Sequence, residues 1–359
     1  MDIEFGRSAR GLWSLASDAT FLNHGSYGAC PRVVQAEQDR FRREMEAEPD
    51  DFVRRNIVPT GDGTPLRAVA ARLGGLVGAP ANRVALVENA TVAIQSVLQS
   101  IDLDRGDEIL ITSHQYNAVR LQVEARCRET GAVPRIVQIP LPTTADEALG
   151  RIREAAEPRV KLAIIDHITS ATALVLPIVE IVAALRERGV RVLVDGAHGI
   201  GQVPLDLGEI GADWYVTNAH KWLFAPKGSA LLHAAAGVVA MTRPCVTSHF
   251  IEMGFPKSFD YLGTATIRAG WRSPRRCAST NNSGRTGCAA TTPGSSPSPA
   301  SNCSPSAPSR SDRWGCVRQC GPSCCHSGAR RSTATRCNSS RRSGTRPASR
   351  LTRRCWTAR

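Results

Sequence analysis

RVALVENATVAIQSVLQSIDLDRGDEILITS (83–113) decides the fold. It holds two short β-rich runs, RVALVE (83–88) and EILITS (108–113), on either side of a helical run, TVAIQSVLQSI (91–101). The alternation continues down the chain. NAVRLQVEARCRET (117–130) reads as a helix, RIVQIPL (135–141) as a strand and ADEALGRIREAA (145–156) as an amphipathic helix. KLAIIDH (161–167) and RVLVDG (191–196) are strands flanking the helix IVEIVAALRERG (178–189). DWYVTN (213–218) and SALLHA (229–234) close the series. Strands alternating with helices of this length imply βαβ units and a parallel or mixed sheet buried on both faces. Ligands of such sheets sit beyond the carboxyl ends of the strands. The polar motifs fall there, after Glu88, Ser113, Val194 and Asn218.

Charge divides the 359-residue chain in two. Residues 1–264 carry 27 basic and 31 acidic side chains, a net of −4. Residues 265–359 carry 18 arginines, no lysine and a single acid, Asp312, a net of +17. The overall charge of +13 therefore belongs to the tail and does not mark a nucleic-acid-binding face. Cysteine divides the same way. Cys30, Cys127 and Cys245 lie in the first part and nine others in the tail; three scattered cysteines suit a reducing cytoplasm. No signal peptide is visible in MDIEFGRSAR, and no stretch approaches the roughly 20 apolar residues that span a bilayer.

The tail is dominated by Ser, Arg, Pro, Thr, Cys and Gly and shows no period of 2 or 3.6, so it predicts disorder rather than a packed domain. Arginine without lysine is what a GC-rich gene yields when read out of frame. With permitted codons, ATIRAG (265–270) shifted by one base contains D-N-S-G-W, and WRSPRRCASTNNSG (271–284) reads LALPAALRFYEQLG, an apolar, helix-like segment. The expectation is a base lost near the codon for Thr264 or Ala265. A basic nucleic-acid-binding arm is one alternative. A zinc site from Cys316, Cys320, Cys324, Cys325 and His326 is another, but this cluster lacks the two separated pairs of a structural zinc motif. No metal is expected.

Three motifs carry chemistry. In VTNAHKWLFAPKGSALL (216–232), Lys221 follows a buried strand and precedes an apolar turn, which suits an amine held partly neutral in a cleft. An exposed surface lysine is the plain alternative, as is a structural role for His220. In VLVDGAHGIGQ (192–202), Asp195 closes an apolar strand, where a carboxylate can pair with a protonated ring nitrogen, bind a metal or cap a loop. In ENATVAIQ (88–95), Asn89, Ala90 and Thr91 set backbone N–H groups and a hydroxyl at a helix start, either an anion site or an ordinary cap. The order of the three is more specific than any one of them.

That order resembles the class V aminotransferase family of fold-type I pyridoxal-phosphate (PLP) enzymes. FLNHGSYGACPR (21–32) and FVRRN (52–56) resemble its isopenicillin N epimerase-like branch, and the similarity runs through FPKSFDYLGT (255–264). The resemblance implies an α/β large domain with a mostly parallel, seven-stranded sheet over 31–264, after a substrate-side segment over 1–30. The family's C-terminal small domain, with its substrate-gripping arginine, has no counterpart in the tail (265–359). The resemblance implies that Lys221 carries PLP, that Asp195 holds its ring nitrogen and that His198 lies near its ring oxygen. It places the phosphate at Asn89, Ala90 and Thr91, aided by His220, and counts Asn218 among the cofactor-binding residues. SHQYNA (113–118) offers Tyr116, or second His114, to stack on the ring. Thr264, after Gly263, would reach the phosphate of a neighbouring subunit, implying a homodimer, and Asn23, His24, Gly25 and Ser26 would border an amino-acid substrate. The implied reaction is epimerisation by Cα proton removal, with a C–S lyase or desulfurase, or a non-functional frameshifted product, as alternatives.

Overall fold

The computed structural model describes residues 7–58 and 62–264. The expected out-of-frame tail and its cysteine cluster lie outside the described residues. Helices α1 (His24–Tyr27), α2 (Arg32–Ala47), α3 (Pro49–Asn56) and α4 (Pro65–Leu76) precede the first strand. There follow β1 (Val84–Val87), α5 (Ala90–Ser100), β2 (Glu108–Thr112), α6 (Asn117–Thr130), β3 (Val133–Val137), α7 (Ala145–Ala155) and β4 (Val160–Asp166). The series ends with α8 (Ile178–Arg186), β5 (Arg191–Asp195), α9 (Leu207–Ile210), β6 (Trp214–Asn218) and β7 (Ala230–Ala234).

The strands form one seven-stranded sheet in the order β1-β7-β6-β5-β4-β2-β3. β3, β2, β4, β5 and β6 run parallel, and β7 runs antiparallel to both of its neighbours. β1 thus points the same way as the parallel set, so the carboxyl ends of β1, β2, β4, β5 and β6 share one edge. The sheet is buried on both faces because successive strand residues face different cores. Val192 and Val194 pack with α4, α7 and α8 residues such as Leu73, Ile152 and Ile181. Leu162, Ile164 and Leu193 pack with α5 and α6 residues such as Ile94, Val97 and Val123. By this two-residue period Asp166 and Asp195 point to the α5–α6 side.

One strand lies elsewhere than its sequence predicts. RIVQIPL suggests a strand over 135–141, whereas β3 starts at Val133 and ends at Val137. β3 is an edge strand that pairs with β2 alone, and its register runs out where Thr112 meets Val137. Beyond that point Pro140 and Pro142 have no N–H with which to extend a ladder.

Candidate active site

The carboxyl edge gathers an amine, a histidine and two acids. Lys221 follows β6, and its Nζ lies 3.1 Å from Nε2 of His198, which sits in the turn after β5. Burial lowers the Lys221 pKa, with Asp195 and Asp166 opposing. Burial and the neighbouring Lys221 push His198 down to about 4. The opposite ring nitrogen of His198, Nδ1, accepts a hydrogen bond from the indole Nε1–H of Trp222 at 3.2 Å. Asp195 is buried, and its Oδ1 accepts from the Ala197 N–H at 3.0 Å. Burial raises its carboxyl above the ordinary value, while the Ala197 N–H and Lys221 pull it back.

The start of α5 forms the other side. Asn89 caps the helix, its Oδ1 accepting from the Val92 N–H at 2.9 Å. Asn218, the last residue of β6, reaches across to accept from the Ala90 N–H at 2.9 Å. Two donors of this helix end are therefore taken by side chains, and the anion-binding capacity expected at Asn89, Ala90 and Thr91 narrows to Thr91. Among the described residues nothing accepts from the Thr91 N–H or engages its hydroxyl. His220 stands nearby with Nδ1 against the Ser229 backbone, 2.9 Å from its carbonyl oxygen, and burial holds its pKa down.

The N-terminal loop closes over the lysine turn. Asn23 caps the short α1, accepting from the Ser26 N–H at 3.2 Å and donating to the Ser26 hydroxyl at 2.8 Å. His24 stands edge-on to Phe224 and Trp222, at 4.8 and 6.0 Å between centroids. Gly25 is pressed against His198 and Trp222, and a Cβ there would lie 3.0 Å from Trp222 Cζ2 and 3.1 Å from His198 Cε1. Gly28, at φ +51°, passes so close to the His220 carbonyl that a Cβ would overlap its oxygen at 1.8 Å. Lys227 fastens the same loop by donating to the Gly28 carbonyl at 3.1 Å.

Of the ring-stacking pair, Tyr116 is exposed at the start of α6. His114 is held through both ring nitrogens, by the Ile139 carbonyl at 2.8 Å and the Thr172 hydroxyl at 3.0 Å. Thr264 is exposed at the end of the described chain. Two residues of the cluster escaped the sequence reading. Asp166 closes β4 as Asp195 closes β5, so the same strand-end criterion would have found it. Trp222 is invisible as a hydrogen-bond donor until the chain folds. Among the described residues no group of His, Cys, Asp and Glu side chains could hold a metal ion.

A buried strand-end carboxylate, a half-buried amine of lowered pKa and a helix start with unused donors lie along one edge. Such a donor set fits a phosphorylated pyridine aldehyde, whose ring nitrogen, aldehyde and phosphate need these three partners. The aminotransferase class-V profile matches residues 29–252. The chain belongs to the aminotransferase class-V family. The cofactor of this family is pyridoxal phosphate, and curated relatives of the chain are named as L-cysteine desulfhydrases and isopenicillin N epimerases. The chain is 38% identical over 268 residues to a putative L-cysteine desulfhydrase 1 of Oryza sativa subsp. japonica, covering 69% of this chain and 54% of the relative. It is 35% identical over 263 residues to an isopenicillin N epimerase of Streptomyces clavuligerus, covering 71% and 64%. The chain thus spans about half to two-thirds of the length of these curated relatives. The cystine C-S lyase C-DES, in complex with its reaction product cysteine persulfide, superposes with a TM-score of 0.61 at 22% identity, over 71% of this chain and 70% of that one. That likeness shows the fold. No helix among the described residues is long and apolar enough to cross a membrane.

Proposed function

We propose that the chain is the cofactor-holding part of a PLP enzyme that removes the Cα proton of an amino acid, with isopenicillin N epimerase-like epimerisation as its reaction. The observation that carries the reading is the 3.1 Å contact between Lys221 Nζ and His198 Nε2, set beside the buried Asp195 at the strand end. When bound, the cofactor supplies an electron sink for the charge left at Cα. Asp195 would keep the ring nitrogen protonated, Thr91 and His220 would hold the phosphate, and Asn218 would brace the phosphate turn. His198 would donate to the ring oxygen, and Tyr116 or His114 would cover the ring face. Lys221 would be the base that takes the Cα proton and returns it. Asn23 to Ser26 would border the substrate.

A second reading, elimination of sulfur from cysteine, is supported by the 38% identity to a desulfhydrase. Both readings share the Cα proton step. They separate when the PLP-loaded chain is incubated in D2O. Deuterium gained at Cα with loss of optical purity supports epimerisation, whereas sulfide released from L-cysteine without it supports elimination. We further propose a cytoplasmic homodimer in which Thr264 reaches a second copy. Residues 265–359 we read as the out-of-frame product of a gene whose restored frame encodes the small domain. If that domain supplies the substrate-gripping arginine, the chain as it stands holds the cofactor better than it turns over substrate.

A further inference from the structure

The His198 ring is gripped at both nitrogens, and this fixes where its proton can be. Trp222 Nε1 can only donate, so the Nδ1 atom 3.2 Å away must present a lone pair. A neutral imidazole with a bare Nδ1 carries its hydrogen on Nε2, and that hydrogen points at Lys221 Nζ, 3.1 Å away. An ammonium has three donors and no lone pair, so it cannot accept this hydrogen bond. With the opposite tautomer, Lys221 could donate to Nε2 as an ammonium, but the Nδ1–H would then face the Trp222 N–H. The indole decides between the two arrangements.

We propose that Trp222 is a positioning residue that fixes His198 as the Nε2–H tautomer and thereby leaves Lys221 as an uncharged amine that accepts a hydrogen bond. The inference rests on the reading of Lys221 as the cofactor lysine for its purpose, though not for its geometry. An uncharged amine is the form that attacks an aldehyde, and an Nε2–H on the same side is a donor for the ring oxygen that comes with it. The groups facing this unit from other elements agree. Asp195 and Asp166 look toward Lys221 from the ends of β5 and β4, and burial of the amine outweighs both. From the N-terminal loop, Gly25 backs the His198–Trp222 pair with little room for a side chain, and His24 stands edge-on to the indole. Gly201, at φ +84°, runs against the Trp222 backbone so closely that a Cβ would sit 2.6 Å from its carbonyl oxygen. Gly25 thus bears on the indole and Gly201 on the Trp222 backbone, which together restrict where its N–H can aim.

The test uses the full chain without PLP, so its outcome is separate from whether the chain binds the cofactor. Two-bond proton–nitrogen correlation on histidine-labelled protein, with His198 assigned by its loss in His198→Gln, reads the tautomer directly. The expected wild-type spectrum has a pyridine-like Nδ1 and a proton-bearing Nε2. Trp222→Phe keeps the ring and removes the donor, and the Nδ1–H form should then appear. In the same variant, reductive methylation of Lys221 near neutral pH, followed by mass spectrometry, should slow by about threefold to tenfold as the amine regains its proton. A proton on Nδ1 in the wild type overturns the proposal without any variant. So does a Trp222→Phe protein whose His198 tautomer and Lys221 reactivity are unchanged.

Discussion

Asp166 and Asp195 form the last register pair between β4 and β5, so two buried acids stand side by side at the carboxyl edge of the sheet. Asp195 has the Ala197 N–H as a partner, whereas Asp166 Oδ2 has none among the described residues. Burial raises the Asp166 carboxyl well above its ordinary value and Asp195 adds to the rise, while Lys221 and the Tyr116 N–H oppose it. Two like charges this close cannot both be ionised cheaply, so the pair favours a shared proton over two carboxylates.

The consequence for stability follows from linkage. With a raised folded-state pKa, the folded protein binds more protons than the unfolded chain once pH climbs above about 3.8, so Asp166 costs stability increasingly as pH rises toward its folded value. Asp166→Asn has the shape of the protonated acid and no such penalty. In urea melts the variant should gain on the wild type steadily from pH 4 toward neutrality. A difference that stays constant with pH, or moves the other way, would show that Asp166 is ionised in the fold.

Asn218, at the end of β6, joins the lysine-bearing turn to the start of α5 through the Ala90 N–H. Asn218→Ala leaves that buried donor without a partner and should cost about 1–3 kcal/mol of stability. If the proposed turn holds phosphate, the same change should also weaken PLP binding. A drop in the urea midpoint with unaltered PLP affinity would separate the turn from the cofactor.

Arg67 and Asp260 make an ion pair at 3.1 Å with side chains 4% and 0% exposed, tying α4 to the segment before Gly263 and Thr264. Arg67 also donates to the carbonyls of Ala81 and Val84, which closes off the entry to β1. Removing one partner of such a pair strands a buried charge, so Arg67→Met should destabilise by about 3–5 kcal/mol. Adding Asp260→Leu should recover part of the loss, and a double variant no better than the single would argue that Arg67 acts through the carbonyls alone. Thermal melts of the three proteins decide it.

The fold was legible because its signal is local. Strands such as RVLVD and WYVTN carry consecutive apolar residues (Val192 to Val194, Trp214 to Val216) rather than an alternating pattern, and only a sheet covered on both faces asks for that. Asp195 and Lys221 were legible for the same reason, since the end of a buried strand is where a polar side chain meets the ligand edge. The end of β3 was not, because it depends on where its partner β2 stops. Nor was the role of Trp222, whose indole meets a histidine 24 residues earlier in the chain. That the Ala90 N–H at the start of α5 is already taken was hidden too, because its partner Asn218 lies 128 residues away in the chain.

The composition of residues 265–359 makes a prediction about the gene. Resequencing across codons 255–290 should reveal a missing base, with the restored frame giving an apolar, helix-like segment of the LALPAALRFYEQLG kind after the in-frame segment ending near Thr264. An intact frame there would return the arginine-rich tail to the list of genuine protein segments and remove the small domain from the account.

The most direct measurement is to mix the purified chain with PLP, reduce with borohydride and map the modified peptide by mass spectrometry. The account predicts a cofactor adduct on Lys221 and the loss of the accompanying absorbance band in Lys221→Ala. An adduct confined to other lysines, or colour that persists in Lys221→Ala, would contradict it.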